Sequence, residues 1–346
     1  MKRMILLLTV ALLFLSGCSA PAASIEKLAA IRYDYGNLGQ LVCTNGLWYG
    51  FYFTTTTEFD EDYSETLTLS VSEDPSVLNP VFTEESTYTE GYNAWGDYAA
   101  WKKITDSTEE ILLFDRHTAK VSAVHTMPVV ETITQEQMGF YNGKLYFFVE
   151  EPVQQRISLM EYDPADGQKQ IVCSFTDPKG YYYHIYMDQD AILLQAFDED
   201  GQSPLLMHID PLQPTAIKEL PLPQEQLYSD IAYDAASGNY VALVWEEMKP
   251  REEVALLDGT TGAITPLFST KTGSFHQLDC RNGKVYAVFT NYLTWFSLDT
   301  AIEYDLSDGT RQQVKDIYEL FFAGDDVYGV SDHRFFPERT TLYRIF

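Results

Sequence analysis

YNGKLYFFV at residues 141–149 returns as RNGKVYAVF at 281–289, and more loosely as TNGLWYGFYF at 44–53. Asn-Gly supplies two consecutive residues that tolerate positive φ, the requirement of a two-residue hairpin turn. The Tyr, Phe and Val that follow suit a pleated strand. Each copy therefore reads as a hairpin turn entering a strand. Asn45, Asn142 and Asn282 are 97 and 140 residues apart, about two and three times a unit of 47. A period of that length belongs to radial repeat architectures.

Hidden copies are expected between the clear ones. WGDYAAW from Trp95, DQDAILLQAF from Asp188, SGNYVALVW from Ser237 and AGDDVYGV from Ala323 supply weaker turn phrases, making seven in all. A second series has the same period. Asp115, Asp163, Asp210, Asp258 and Asp305 each follow an aromatic or aliphatic residue and precede turn formers, at intervals of 48, 47, 48 and 47 residues. Asp closes such turns by bonding its carboxylate to the backbone ahead, and Gly supplies positive φ. The runs between the two series are strand-like, so each unit reads as four antiparallel strands.

The predicted fold is all-β: a seven-bladed β-propeller of four-stranded antiparallel blades. Removal of residues 1–17 leaves 329 residues, 47 for each of seven units. Rings of six or eight blades, or two β domains, are the alternatives. The chain ends after TTLYRIF, one strand short of a complete last blade, and residues 25–33 (IEKLAAIRY) are positioned to supply it and close the ring.

The amino terminus has the order of an export signal: Lys2 and Arg3, an apolar run of 12 residues from Met4 to Leu15, then small residues. Twelve apolar residues are too few to span a bilayer, which takes about 20. Leu15-Ser16-Gly17-Cys18 resembles the bacterial lipobox, and that resemblance implies cleavage before Cys18 and lipidation of its thiol. The expected division is a signal peptide at 1–17, a lipidated tether at 18–24 and a propeller domain at 25–346. The expected location is the extracytoplasmic face of a bacterial membrane. The propeller units in turn resemble bacterial propeller lipoproteins, and more distantly the TolB-like and quinoprotein-dehydrogenase-like superfamilies, through VALLDGTTGAITPLF at 254–268. Tryptophans at a fixed place in successive repeats are missing, so no quinone is carried over and no cofactor is expected.

Composition narrows the partners. The chain carries 51 Asp and Glu against 23 Lys and Arg, and loss of Lys2 and Arg3 takes the formal charge from −28 to −30. Such a surface repels nucleic acid. Cys43, Cys173 and Cys280 are an odd number for an oxidising compartment and read as small buried hydrophobes. The six histidines are scattered singly, no nucleophile elbow occurs, and FDEDG (197–201) and FDED (59–62) fall short of a calcium loop, so no catalytic or metal residues are assigned.

Strand alternation puts the Asn-Gly and Asp turns on one rim, and the second-to-third loops with the links between blades on the other. The second-to-third loops are read at 54–65, 150–156, 198–203, 246–253, 291–297 and 331–339, and they are unlike one another. Varied loops on a rigid scaffold build binding surfaces. Tyr63, Tyr292, Trp295, Phe296, His333, Arg334 and Phe335 are the candidate ligand-binding residues. The functional expectation is a monomeric, membrane-anchored binding or scaffold module for a protein, peptide or glycan. The alternative is an extracellular lyase or hydrolase with its site on the same rim or in the central channel.

Cys18→Ser should move the protein from the membrane fraction into the medium. Unchanged sedimentation with membranes would refute lipidation at Cys18.

Overall fold

The computed structural model describes residues 25–31, 37–56, 64–86, 88–129, 138–151, 156–176, 183–187, 191–196, 205–213, 216–223, 227–246, 249–270, 273–291, 298–331 and 340–346. The chain opens with β1 (Glu26–Ile31). Blade 1 is β2 (Asn37–Thr44), β3 (Leu47–Thr56), β4 (Ser64–Ser72) and β5 (Asn79–Ser86), and blade 2 is β6 (Tyr88–Trp95), β7 (Tyr98–Ile104), β8 (Thr108–Asp115) and β9 (Lys120–Pro128). Blade 3 is β10 (Gly139–Tyr141), β11 (Lys144–Glu151), β12 (Arg156–Tyr162) and β13 (Lys169–Thr176), and blade 4 is β14 (Tyr183–Met187), β15 (Ile192–Ala196), β16 (Leu205–Ile209) and β17 (Lys218–Pro221). Blade 5 is β18 (Leu227–Asp234), β19 (Asn239–Glu246), β20 (Lys249–Leu257) and β21 (Ile264–Ser269), and blade 6 is β22 (Ser274–Arg281), β23 (Lys284–Asn291), β24 (Leu298–Asp305) and β25 (Arg311–Lys315). Blade 7 joins β26 (Glu319–Ala323), β27 (Asp326–Ser331) and β28 (Thr340–Ile345) to β1, in the order β1-β28-β27-β26. The protein is a seven-bladed β-propeller.

The hairpin turns have the chemistry their sequence demands. Asn45, Asn142 and Asn282 sit at φ of 50°, 48° and 52°, and the glycines after them at 77°, 80° and 74°. Positive φ at both central residues matches the right-handed twist of the strands they join. The Asp series closes the third-to-fourth turns as expected: Asp115, Asp163, Asp210, Asp258 and Asp305 each accept from the backbone N–H two residues on, at 2.8 to 3.0 Å.

Closure occurs as anticipated. β1 lies antiparallel on β28 with Glu26 opposite Arg344 and Ala30 opposite Thr341, a bulge falling between Lys27 and Ala29. Buried Ala29 thereby enters one cluster with Leu41 and Trp48 of blade 1 and Val330 and Leu342 of blade 7. The Trp48 ring meets Phe321 and Tyr328 edge-on, with centroids 6.0 and 5.1 Å apart. First and last blades are therefore locked both by strand pairing and by aromatic packing. The remaining apolar clusters also run between blades, in the space where facing sheets bury their side chains.

Some expected loops are shorter than they read. EEMKPREE at 246–253 is nearly all strand, because β19 runs to Glu246 and β20 resumes at Lys249. Blade 2 turns from β7 to β8 through Thr105–Ser107, where the Thr105 hydroxyl accepts from Thr108 N at 3.1 Å. Charged strand ends and loops share a composition, and only pairing separates them. Cys43, Cys173 and Cys280 form no disulfide with one another, and burial pushes the Cys43 and Cys173 thiols up to about 11.

Blade 2 departs from three of the other Asp turns. Gly167, Gly262 and Gly309, each the fourth residue after its Asp, hold φ of 70° to 73° and donate N–H to that Asp carbonyl at 2.8 to 2.9 Å. Blade 2 has Ala119 there, at φ 53°. An alanine Cβ in the left-handed region costs about 1 kcal/mol. Ala119→Gly should raise stability by about 0.5–1 kcal/mol in chemical denaturation; a loss of stability would contradict this turn geometry.

Candidate functional site

The innermost strand of each blade leaves one edge facing the axis, and in blades 2, 6 and 7 side chains from the preceding blade bond to it. Asp230 accepts from Leu278 N at 3.1 Å, and Glu252 accepts from Phe275 N at 2.6 Å. Glu65 accepts from Thr89 N and Oγ1, both at 2.8 Å. Gln277 donates to Leu320 O at 2.6 Å and accepts from Leu320 N at 2.8 Å. Asp234, buried at the turn rim, accepts from Gly283 N at 2.8 Å.

Register brings polar groups of five inner strands, Asp230 and Gln277 among them, to one level. Gln40, Glu90, Asp230, Gln277 and Glu319 lie opposite Phe51, Lys102, Leu243, Val288 and Val330, each four residues into its second strand. Bulges at Leu38/Gln40, Tyr228/Asp230 and Phe275/Gln277 fall just before that level and, in blade 2, just after it, between Glu90 and Asn93. A bulge bends a strand and re-aims its side chains, which is why bulges gather near functional sites.

The result is a central cavity of about 740 Å³. Gln40, Glu90, Asn93, Asp230, Gln277 and Asp279 give it hydrogen-bonding groups; Leu38, Met138, Tyr186 and Ile231 give it apolar walls. Its lining includes Leu38, Phe53, Glu65 and Tyr88, which lie at the strand ends of the irregular rim, and passes inward to Ala232 and Asp279. Tyr186 lies on the inner strand of blade 4, within the sequence YHIYM of 183–187, and its hydroxyl donates to Gln195 Oε1 at 2.8 Å.

Several acids here have assigned partners. Glu90 pairs with Lys102, which also reaches Glu109 at 3.6 Å, and Asp279 holds Arg281 through two bonds of 2.9 Å. Asp230 differs. Burial in the ring pushes its carboxyl up to about 7, the bonds from Leu278 and Ile231 oppose the shift, and Asp279 adds to it. Glu319 is also pushed up to about 7 by burial. These two carboxyls exchange protons near neutrality.

All seven residues expected to bind ligand, Tyr63, Tyr292, Trp295, Phe296, His333, Arg334 and Phe335, lie outside the described residues, as does Cys18. Gln40, Glu90, Asp230 and Gln277 carry no motif and escaped sequence reading; counting four positions into each second strand and reading across the pair would have aligned them. Among the described residues no group of three or more His, Cys, Asp or Glu is placed to hold a metal ion. The histidines act separately: His208 Nδ1 lies 2.6 Å from the Tyr240 hydroxyl, and His276 Nε2 donates to Tyr318 O at 2.7 Å.

Among solved structures the chain is similar to the β-propeller domain of the trilobed protease from Pyrococcus furiosus, with a TM-score of 0.60, 11% identity and 94% of each chain covered. It is similar to Pyrococcus horikoshii acylaminoacyl peptidase, with a TM-score of 0.56 and 12% identity over 86% of this chain, but spans only 49% of that enzyme. It is also similar to an oligogalacturonate lyase solved in complex with manganese, with a TM-score of 0.50, 14% identity and 95% and 94% of the two chains covered. At such identities the likeness is one of fold. No family model and no curated protein matches the sequence.

The Asp230 shift has a sign. A carboxyl raised to about 7 keeps its proton in the folded chain where the unfolded chain, with an ordinary Asp near 4, has released it. Its contribution to stability is full below about pH 4 and is lost as pH rises through 7. Asp230→Asn should therefore gain on the wild type between pH 5 and pH 8, by on the order of 1–2 kcal/mol after screening by channel water. A melting-temperature difference constant across that range would disprove the shift.

Proposed function

We propose that the protein is an extracytoplasmic binding module, anchored through Cys18, that takes a polar segment of its ligand into the central channel from the irregular rim. The observation that carries this reading is the tier of Gln40, Glu90, Asp230 and Gln277 around a cavity of about 740 Å³. A concave site with a few convergent polar groups is the usual form of a ligand pocket. Carboxylates and amide oxygens accept hydrogen bonds, so the ligand is donor-rich: an amine-bearing peptide or a hydroxyl-bearing glycan. Binding is favoured over catalysis because Glu65, Glu90 and Asp279 are held by Thr89, Lys102 and Arg281.

A second reading has one observation behind it. A carboxyl near 7, as at Asp230, can serve as a general acid or base at neutral pH. An oligogalacturonate lyase shares the fold, which makes pectic oligosaccharides the first substrates to test.

The soluble chain, residues 25–346, should retain a discrete set of peptides or glycans from envelope extract, and Gln40→Ala combined with Asp230→Asn should lower that retention at least tenfold. Equal capture by both chains would refute the channel as the site. Unsaturated product from oligogalacturonate with manganese, abolished by Asp230→Asn, would establish the lyase reading instead.

A further inference from the structure

The register of the closing blade decides where an anchor on Cys18 would pull. β27 starts at the turn rim, just after Gly324 and Asp325, and β28 returns to that rim, ending at Ile345. β1 is antiparallel to β28, with Glu26 opposite Arg344 and Ile31 opposite Thr340. The chain therefore enters the ring at the turn rim, where the other blades make their third-to-fourth turns, and climbs to the irregular rim.

Lengths convert this into an orientation. Cys18 to Ile25 is seven residue steps, which reach at most about 25 Å. The six residues of β1 rise about 20 Å along the flank. With the irregular rim against a bilayer, the tether would run back along that whole flank, nearly fully extended, whereas a flexible chain of seven steps spans only about 15 Å on average. With the turn rim against the bilayer no such extension is needed.

Resting on the reading that Cys18 is lipidated, we propose that the turn rim faces the membrane and that the irregular rim, with the mouth of the central cavity, faces away from it. Attachment, not attraction, sets this orientation. Asp97, Asp115, Asp163, Asp258 and Asp305 lie on the turn rim together with Arg116, Lys120, Lys144, Lys284 and Arg344, so the rim is no basic patch that would draw it to anionic headgroups. The ring hangs from its tether, its cavity open to a ligand that approaches from outside.

Ser237 and Ser107 make matched reporters. Both are exposed; Ser237 is in the first turn of blade 5, on the turn rim, and Ser107 in the second-to-third loop of blade 2, on the irregular rim. Each blade is two places from blade 7, on opposite sides, so a tilt about the tethered blade moves both alike. The full-length lipoprotein, with a clickable residue at one position carrying a donor dye, is reconstituted into phosphatidylcholine vesicles containing headgroup-labelled acceptor lipid. Energy transfer from position 237 should exceed that from 107 about twofold, as a height difference of about 20 Å requires. Inserting about twenty Gly and Ser residues between Ser24 and Ile25 should erase the difference. Equal or reversed transfer in vesicle-bound protein overturns the orientation alone, as does a bias that survives the insertion. Protein that fails to float with vesicles overturns the anchor reading and the orientation with it.

Discussion

Every blade of this propeller ends at the axis in a strand with one unpaired edge, and the side chains of neighbouring blades are placed by that constraint. A bare edge in a narrow channel leaves peptide groups without partners, each costing roughly as much as a lost hydrogen bond. In blades 2, 6 and 7 the partner is a side chain lent by the preceding blade: Asp230 to Leu278, Glu252 to Phe275, Glu65 to Thr89, and Gln277 to both polar groups of Leu320. The same bonds fasten blade to blade, adding direction to apolar clusters that have none.

This arrangement also makes the site. Acceptors needed at the inner edges stand where the bulged strands line the cavity, so stability and recognition draw on the same residues. Asp230 shows the tension: it is set deep enough to reach Leu278 N, and that depth raises its carboxyl to about 7. Interior carboxylates that hold the ring together therefore share the channel with groups whose charge responds to the surroundings.

The two rims differ for a simple geometric reason. Four antiparallel strands place the first-to-second and third-to-fourth turns on one side and the second-to-third loops with the links between blades on the other. The Asn-Gly and Asp turns are regular because each must reverse the chain in a few residues, and few residue types adopt the required φ. The opposite connections carry no such constraint and are free to vary, around the mouth of the cavity. Closure by β1 adds a polarity of its own, since a strand antiparallel to β28 has to begin on the turn side.

Period, blade number and closing strand were legible in the sequence because they rest on local chemistry: positive φ at Asn45, Asn142 and Asn282, carboxylates that cap their own turns, and alternation of apolar residues. The limits of the loops were less legible; Glu246 and Lys249 read as loop yet pair as strand. The polar lining of the cavity was not legible. Gln40, Glu90, Asp230 and Gln277 sit in unrelated local contexts, and the ring alone makes them neighbours. A repeat announces itself through the turns each unit must make by itself, whereas a site on the axis belongs to no single unit and exists only once seven of them meet.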